Sequence, residues 1–165
     1  MILYFLRHEL AGNWTEWTGD DRQRPLTEEG KKRMASSAKT LSALNLSPDA
    51  ILTSPLTRAR QTAEIAAHGL GLADRLVVDD RLAPGFGLQA LAEILKDYPR
   101  ARALLLIGHE PDFSGTVSAL TGGSLIVLKK GGLARVDLED VSSQSGQLVW
   151  LIPPKILSLS NAKQK

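Results

Sequence analysis

The sequence predicts an α/β protein, a three-layer α/β/α sandwich around a mostly parallel central sheet. Three observations predict it. Short apolar runs rich in β-formers recur at residues 2–6, 50–53 and 103–107, and a continuous apolar run reads as a strand covered on both faces. Stretches with apolar residues at helical spacing separate them, the alternation that gives parallel strands joined by crossover helices. Each run also stops at side chains able to do chemistry: Arg7-His8, Ser54-Pro55 and Gly108-His109. Right-handed crossovers bring the ends of parallel strands to one sheet edge, where open α/β sheets bind ligands.

Taken in order, the first strand is followed by a polar stretch to Pro25 that reads as an exposed loop. Trp14 and Trp17 within it either line a pocket rim or pack beneath the loop, and packing is the expectation. Thr27, followed by Glu28 and Glu29, reads as a helix N-cap with acids in the first turn. Met34, Ala38 and Leu41 then mark the inward face of a helix over 27–44. After the second strand, Ser54 is expected to cap a helix with Pro55 in its first turn, its face formed by Leu56, Ala59, Ala63, Ala66 and Ala67. Arg58 falls in that first turn near the strand end, and Arg60 points elsewhere.

Residues 76–78 read as a third strand and 88–98 as a helix with Leu91, Ile94 and Leu95 inward. Beyond the strand at 103–107, Pro111 opens a helix with Phe113, Val117 and Leu120 on one face, ended by Gly122 and Gly123. The tail reads as strands at 125–128, 133–138 and 147–152, with turns at Gly131-Gly132 and 142–146, closed by Pro153-Pro154. Residues 1–157 are expected to form one domain, and the polar end, 158–165, to fray.

Composition narrows the function. A chain of 165 residues suits one sizeable core. The formal net charge of +2 is small and its signs are mixed, which gives no footprint for nucleic acid. With no cysteine there is no disulfide framework, thiolate zinc site or cysteine nucleophile. No apolar run approaches the roughly 20 residues that span a membrane, and Met1 leads straight into a strand without a signal-peptide pattern. A soluble cytoplasmic protein is expected. Three histidines are present, His8, His68 and His109. His68 lies at a helix C-terminus, where a cation suits the dipole, and reads as structural. His109 taken alone reads as a satisfied strand-end histidine. With Arg7, His8 and Arg58 at the same edge it reads as functional.

The residue types at that edge suit phosphoryl transfer. An arginine fork matches phosphate oxygens, and an imidazole is a nucleophile near neutral pH without a metal. Leu6-Arg7-His8 after the first strand, the run from Thr53 to Ala63 after the second, and Gly108-His109 after a later one together resemble the histidine phosphatase superfamily. Arg24-Pro25-Leu26-Thr27 and Gly108-His109-Glu110-Pro111-Asp112 make the chain most similar to its small SixA-type phosphohistidine phosphatases.

The resemblance implies a phosphoglycerate mutase-like fold and a phosphatase that needs neither metal nor cofactor. It implies His8 as the transiently phosphorylated nucleophile, Arg7 and Arg58 as clamps on the phosphoryl oxygens, and His109 as a further donor to the same group. Ser54 would orient that pocket, and phosphate or sulfate would fit it. The implied partner is a phosphorylated protein, a histidine phosphotransfer domain of a signalling relay.

Two departures stand out. Glu9 occupies the place where the superfamily usually has glycine, so its side chain either turns away or weakens phosphate binding. Asn13 is set aside as a counterpart of a family asparagine because its spacing differs. No general acid matches the larger relatives; Glu9, Asp79, Asp80 and Glu110 are the nearby carboxyls, each reading first as a solvated loop acid. The rival readings are a small-molecule phosphomonoesterase of the same superfamily, a mutase, which would call for a closing lid, and a non-catalytic phosphoprotein-binding module.

Overall fold

The computed structural model describes residues 1–140 and 144–159. Four strands, β1 (Ile2–Arg7), β2 (Ala50–Thr53), β3 (Leu76–Val78) and β4 (Ala103–Gly108), run parallel, and β5 (Leu133–Asp140) and β6 (Ser145–Ile152) add to one side antiparallel. The sheet order is β3-β2-β4-β1-β5-β6. The helices are α1 (Glu28–Ala43), α2 (Thr57–Leu70), α3 (Leu88–Asp97), α4 (Asp112–Leu120) and the short α5 (Pro154–Leu157). Among the described residues no helix is long and apolar enough to cross a membrane.

The two-sided reading of the apolar runs has a direct counterpart in the packing. Side chains alternate along a strand. Leu3, Phe5, Leu52, Leu104 and Leu106 enter one core with Leu91 and Ile94 of α3 and Phe113 and Val117 of α4. Tyr4, Leu6, Ile51, Leu105 and Ile107 enter the other with Met34, Ala38 and Leu41 of α1 and the alanines of α2. Each fully buried Leu, Ile or Phe contributes about 1.5–3 kcal/mol of transfer free energy. This double cover makes the central strands rigid supports for whatever follows their ends.

The register sets the site. Arg7 lies opposite Gly108, and Thr53 opposite Ile107. The ladder runs on past the strand ends, with the His8 amide donating to Gly108 O and the Ser54 amide to Ile107 O, both at 3.0 Å. His8, Ser54 and His109 are therefore the first residues beyond three adjacent strands. Gly108 is needed there: a Cβ on it would lie 2.5 Å from the Phe113 ring.

Several expectations need correction. Residues 125–128 form no strand: Leu125 and Val127 are exposed, and the Leu128 carbonyl accepts from the Arg7 side chain at 2.9 Å and not from a neighbouring strand. Ser54 does not cap α2, whose N-cap is Leu56 without a side-chain cap. Trp14 and Trp17 are not packed beneath their loop: both are exposed, Trp14 at 73%. Of the end expected to fray, Ser158 is described, and its carbonyl accepts from Ser36 Oγ at 2.9 Å. The remainder of that end, 160–165, and part of the expected turn at 142–146 lie outside the described residues.

Candidate active site

At the crevice end of β1, β4 and β2 lies a cavity of about 460 Å³ lined by Arg7, His8, Arg58 and His109, with Asn13, Trp14, Arg24, Glu110 and Lys130 also on its wall. The four residues singled out at the strand ends thus meet in one place. His8 and His109 are buried, and their rings lie 5.2 Å apart between centroids, tilted by 56°.

His8 is held by the backbone. Its Nδ1 lies 2.7 Å from the carbonyl oxygen of Glu9. A carbonyl only accepts, so Nδ1 carries a proton in this contact. Burial pushes the imidazole pKa down to about 3, against the opposing pull of that hydrogen bond. A neutral ring protonated on Nδ1 has its lone pair on Nε2. His109 is held from the other side: Nε2 lies 2.8 Å from Ser54 Oγ, and the Leu56 amide donates to the same oxygen at 3.3 Å. Ser54 therefore fixes a ring of the site instead of a helix end. Burial, then the nearby Arg58, pushes the His109 pKa down to about 4.

The arginines come from different elements. Arg7 ends β1 and its Nη1 donates to Leu128 O at 2.9 Å. Arg58, in the first turn of α2, is buried, and Asp21 holds its outer nitrogens: Nη1 donates to Asp21 O at 2.8 Å and Nη2 lies 3.1 Å from Oδ2. Arg60 points away and lies 3.9 Å from Glu64. Arg7 Nε, Arg58 Nε and His109 Nδ1 are buried without a hydrogen-bond partner. Unpaired buried polar atoms are costly and uncommon, and the three residues that carry them, Arg7, Arg58 and His109, all line this cavity, a set suited to an anion.

None of the candidate acids sits free beside His8. Glu9 is fully buried, contrary to its reading as a solvated acid, and it turns away from the cavity: Oε2 accepts from the Leu10 amide at 2.8 Å and Oε1 lies 3.3 Å from Arg33 Nη2. Burial raises its pKa. Its side chain lies against Gly131, where φ is +74° and a Cβ would come within 2.0 Å of Oε1. Asp79 is locked to Arg81 at 2.7 Å, which holds its carboxyl below the usual range. Asp80 is exposed in a turn of 3-10 helix. Glu110 alone of these lines the cavity, and both its oxygens accept from Ser114, at 3.0 Å from N–H and 2.6 Å from the hydroxyl.

Sequence reasoning missed Asp21 and Lys130 and gave Arg24 no role, and it ranked the pocket-rim reading of Trp14 below packing. Arg24 Nε lies 2.7 Å from Asp21 Oδ1, so one carboxylate braces both Arg24 and Arg58. The signal available was the spacing of Asp21 and Arg24, three residues apart in a loop that must fold back over the strand ends. Asn13 does line the cavity, but its amide is used locally, by the Thr15 amide and Glu16. Among the described residues no group of three or more His, Asp or Glu is placed to hold a metal ion.

An uncharacterized protein of Picosynechococcus sp. is 39% identical over 138 residues, spanning 81% of this chain and 82% of the relative. The structure of the protein histidine phosphatase SixA complexed with tungstate matches with a TM-score of 0.84 at 26% identity, covering 95% of this chain and 99% of that one. An α-ribazole phosphatase from Shigella flexneri shares the fold, with a TM-score of 0.71 at 17% identity over 93% of this chain and 97% of that one. Residues 3–103 match the histidine phosphatase superfamily (branch 1), and with that match and the SixA-like architecture the chain belongs to this superfamily.

Proposed function

We propose that the protein is a metal-independent phosphatase that removes the phosphoryl group from protein phosphohistidine, on a histidine phosphotransfer domain of a signalling relay, through a phosphohistidine intermediate at His8. One observation carries the reading. The Glu9 carbonyl fixes the His8 proton on Nδ1 at 2.7 Å, which leaves the Nε2 lone pair for the reaction, while Arg7, Arg58 and His109 line the same cavity.

In the first step His8 Nε2 attacks phosphorus in line and the bond from phosphorus to the substrate imidazole breaks. That imidazole leaves neutral if its other nitrogen carries a proton. Arg7, Arg58 and His109 hold the equatorial oxygens, where charge stabilisation supplies most of the catalysis. Ser54 Oγ accepts from the Leu56 amide, and in the tautomer where its hydroxyl donates a hydrogen bond to His109 Nε2, Nδ1–H of His109 is the donor to phosphate. Water next attacks the same phosphorus, its proton passes to a phosphate oxygen, and His8 Nε2 leaves. The positive end of the α2 dipole lies at this crevice and favours the anion.

The absence of a free carboxyl beside His8, among the described residues, supports the P–N bond as the target. An alkoxide is a strongly basic leaving group that needs a proton early. Imidazole, whose unperturbed pKa is about 6.5, does not. The open cavity edge, with Trp14 exposed on it, suits a phosphoryl group presented by a protein. Between β3 and β4 the chain has only a 3-10 turn and α3, so this connection carries no inserted segment to act as the lid a mutase needs.

The test is phosphate release from a phosphorylated histidine phosphotransfer domain beside a simple aryl phosphate ester, for wild type and His8→Ala. Fast release from the protein that is lost in the variant, with slow ester turnover, is the expected result. Fast ester hydrolysis with no action on the protein would replace this reading by a small-molecule phosphomonoesterase. No turnover of either would leave a binding module.

A further inference from the structure

The cavity holds more positive charge than a phosphoryl group requires. Arg7, Arg24, Arg58 and Lys130 line it against one carboxylate, Glu110, which is occupied by Ser114. Arg7 and Arg58 match the phosphoryl oxygens, and Asp21 offsets part of the charge on Arg24 and Arg58. Lys130 is left over. Its ammonium makes no hydrogen bond or ion pair with another described residue, and it stands in the field of Arg7, Arg24 and Arg58. Burial and those three guanidiniums lower its pKa, and Glu9, whose carboxylate is already taken up by Arg33 and the Leu10 amide, opposes them only in part.

Its position is nonetheless fixed. The next residue, Gly131, donates its amide to the carbonyls of Arg7 and His8 at 3.1 Å, so the Lys130 backbone is fastened to the nucleophile's own strand end. Arg24, within electrostatic reach, uses Nε on Asp21 and Nη1 on the Gly12 carbonyl, which leaves Nη2 for another acceptor. The volume of about 460 Å³ falls in the roughly 300–1,000 Å³ range of small-ligand sites and exceeds the needs of one phosphoryl group.

We propose that Lys130, with Arg24, forms a second anion subsite beside the phosphoryl clamp, which takes a carboxylate or phosphate that the substrate carries next to its scissile phosphoryl group. This rests on the phosphatase reading and narrows its substrates. On a protein the second anion is an acidic side chain neighbouring the phosphohistidine; on a small molecule it is a second phosphate or a carboxylate. Lys130 stands among three guanidiniums with only the Glu9 carboxylate, itself paired to Arg33, opposing them, and a further anion in the cavity offsets that cost.

The test is calorimetric titration of methylphosphonate and methylenediphosphonate into wild type, Lys130→Gln and Lys130→Arg, with thermal unfolding to establish that the variants are folded. Wild type is expected to bind the diphosphonate about tenfold tighter, the scale of one charge-assisted hydrogen bond. Lys130→Gln should abolish that preference and Lys130→Arg should keep it. An undiminished preference in Lys130→Gln, or an equal loss for both ligands, would overturn the proposal. Two phosphohistidine peptides differing by Glu or Gln beside the phosphorylated residue then locate the source. A kcat/KM preference for Glu that disappears in Lys130→Gln assigns the anion to protein; a diphosphonate preference without it assigns a small molecule. A diphosphonate preference in a protein that turns over no phosphorylated substrate would leave the subsite standing and refute the phosphatase reading.

Discussion

The floor of the cavity and its rim are built by opposite means. On the floor, His8, Ser54 and His109 directly follow three adjacent parallel strands whose side chains are packed on both faces, and Arg58 lies one turn beyond β2. All four are buried. On the rim, Trp14, Asp21 and Arg24 sit in the long loop after β1, and Lys130 in the irregular segment before β5. Trp14 is 73% exposed and the Asp21 side chain 55%. The contrast teaches a division of labour. Groups that break a bond must hold their geometry to a fraction of an ångström, and the sheet supplies that. Groups that select a substrate sit on loops around this rigid frame.

The division can be broken most sharply at His8. His8→Ala removes the only nucleophile the mechanism uses, and phosphate release should fall to the uncatalysed background. Arg58→Ala should lower kcat by about 10²–10³-fold, the loss expected for one preorganised donor to transition-state charge, read from steady-state kinetics. Asp21→Asn tests the join between floor and rim. It keeps the backbone contact to Arg58 but loses the charge that braces Arg58 and Arg24, and kcat/KM should fall roughly tenfold, less than for the arginine itself. A loss as large as that of Arg58→Ala would move Asp21 from bracing into the chemistry.

Acid sharpens the comparison by acting on the buried floor. The His109 pKa is pushed down to about 4 in the folded protein, against about 6.5 unfolded. The unfolded chain therefore binds more protons below pH 6.5, and stability present above that pH is lost as the pH falls toward 4. Between pH 7 and 5, wild type should lose about 2 kcal/mol relative to His109→Gln, measured by urea unfolding without phosphate. A pH-independent difference would contradict the buried neutral imidazole. The smallest effect belongs to the rim: Trp14→Ala should raise KM for a phosphorylated protein by about 1 kcal/mol, a few-fold, with kcat held.

The same contrast explains what could be read from the sequence. Residues 2–6, 50–53 and 103–107 were legible as strands because two-sided burial leaves continuous apolar runs, and Arg7, His8, Arg58 and His109 were legible because they follow those strands at fixed offsets. Residues 125–128 carry a similar apolar signal but pair with no strand, and Leu125 and Val127 are exposed. On the rim the signal disappears. Asp21 looks like its neighbour Asp20, and Lys130 like Lys129, yet only one of each pair takes part: Asp21 braces two arginines and Lys130 lines the cavity. Which member faces inward is decided by loop conformation, such as the positive φ of Gly131, and not by residue type. Glu9 is a third kind of case. Its position predicted interference with phosphate or a turned side chain, and the structure gives the second, with Arg33 as its partner.

The most direct test of the account is to trap the phosphoryl group on the protein. The chain is mixed with a phosphorylated histidine phosphotransfer domain, quenched in alkali on the millisecond scale and analysed by peptide mass spectrometry. The account predicts one transient phosphoryl group, stable to alkali and labile to acid, on His8 Nε2, absent in His8→Ala. Phosphate release at full rate with no phosphorylated His8, or with the group on another residue, would contradict it.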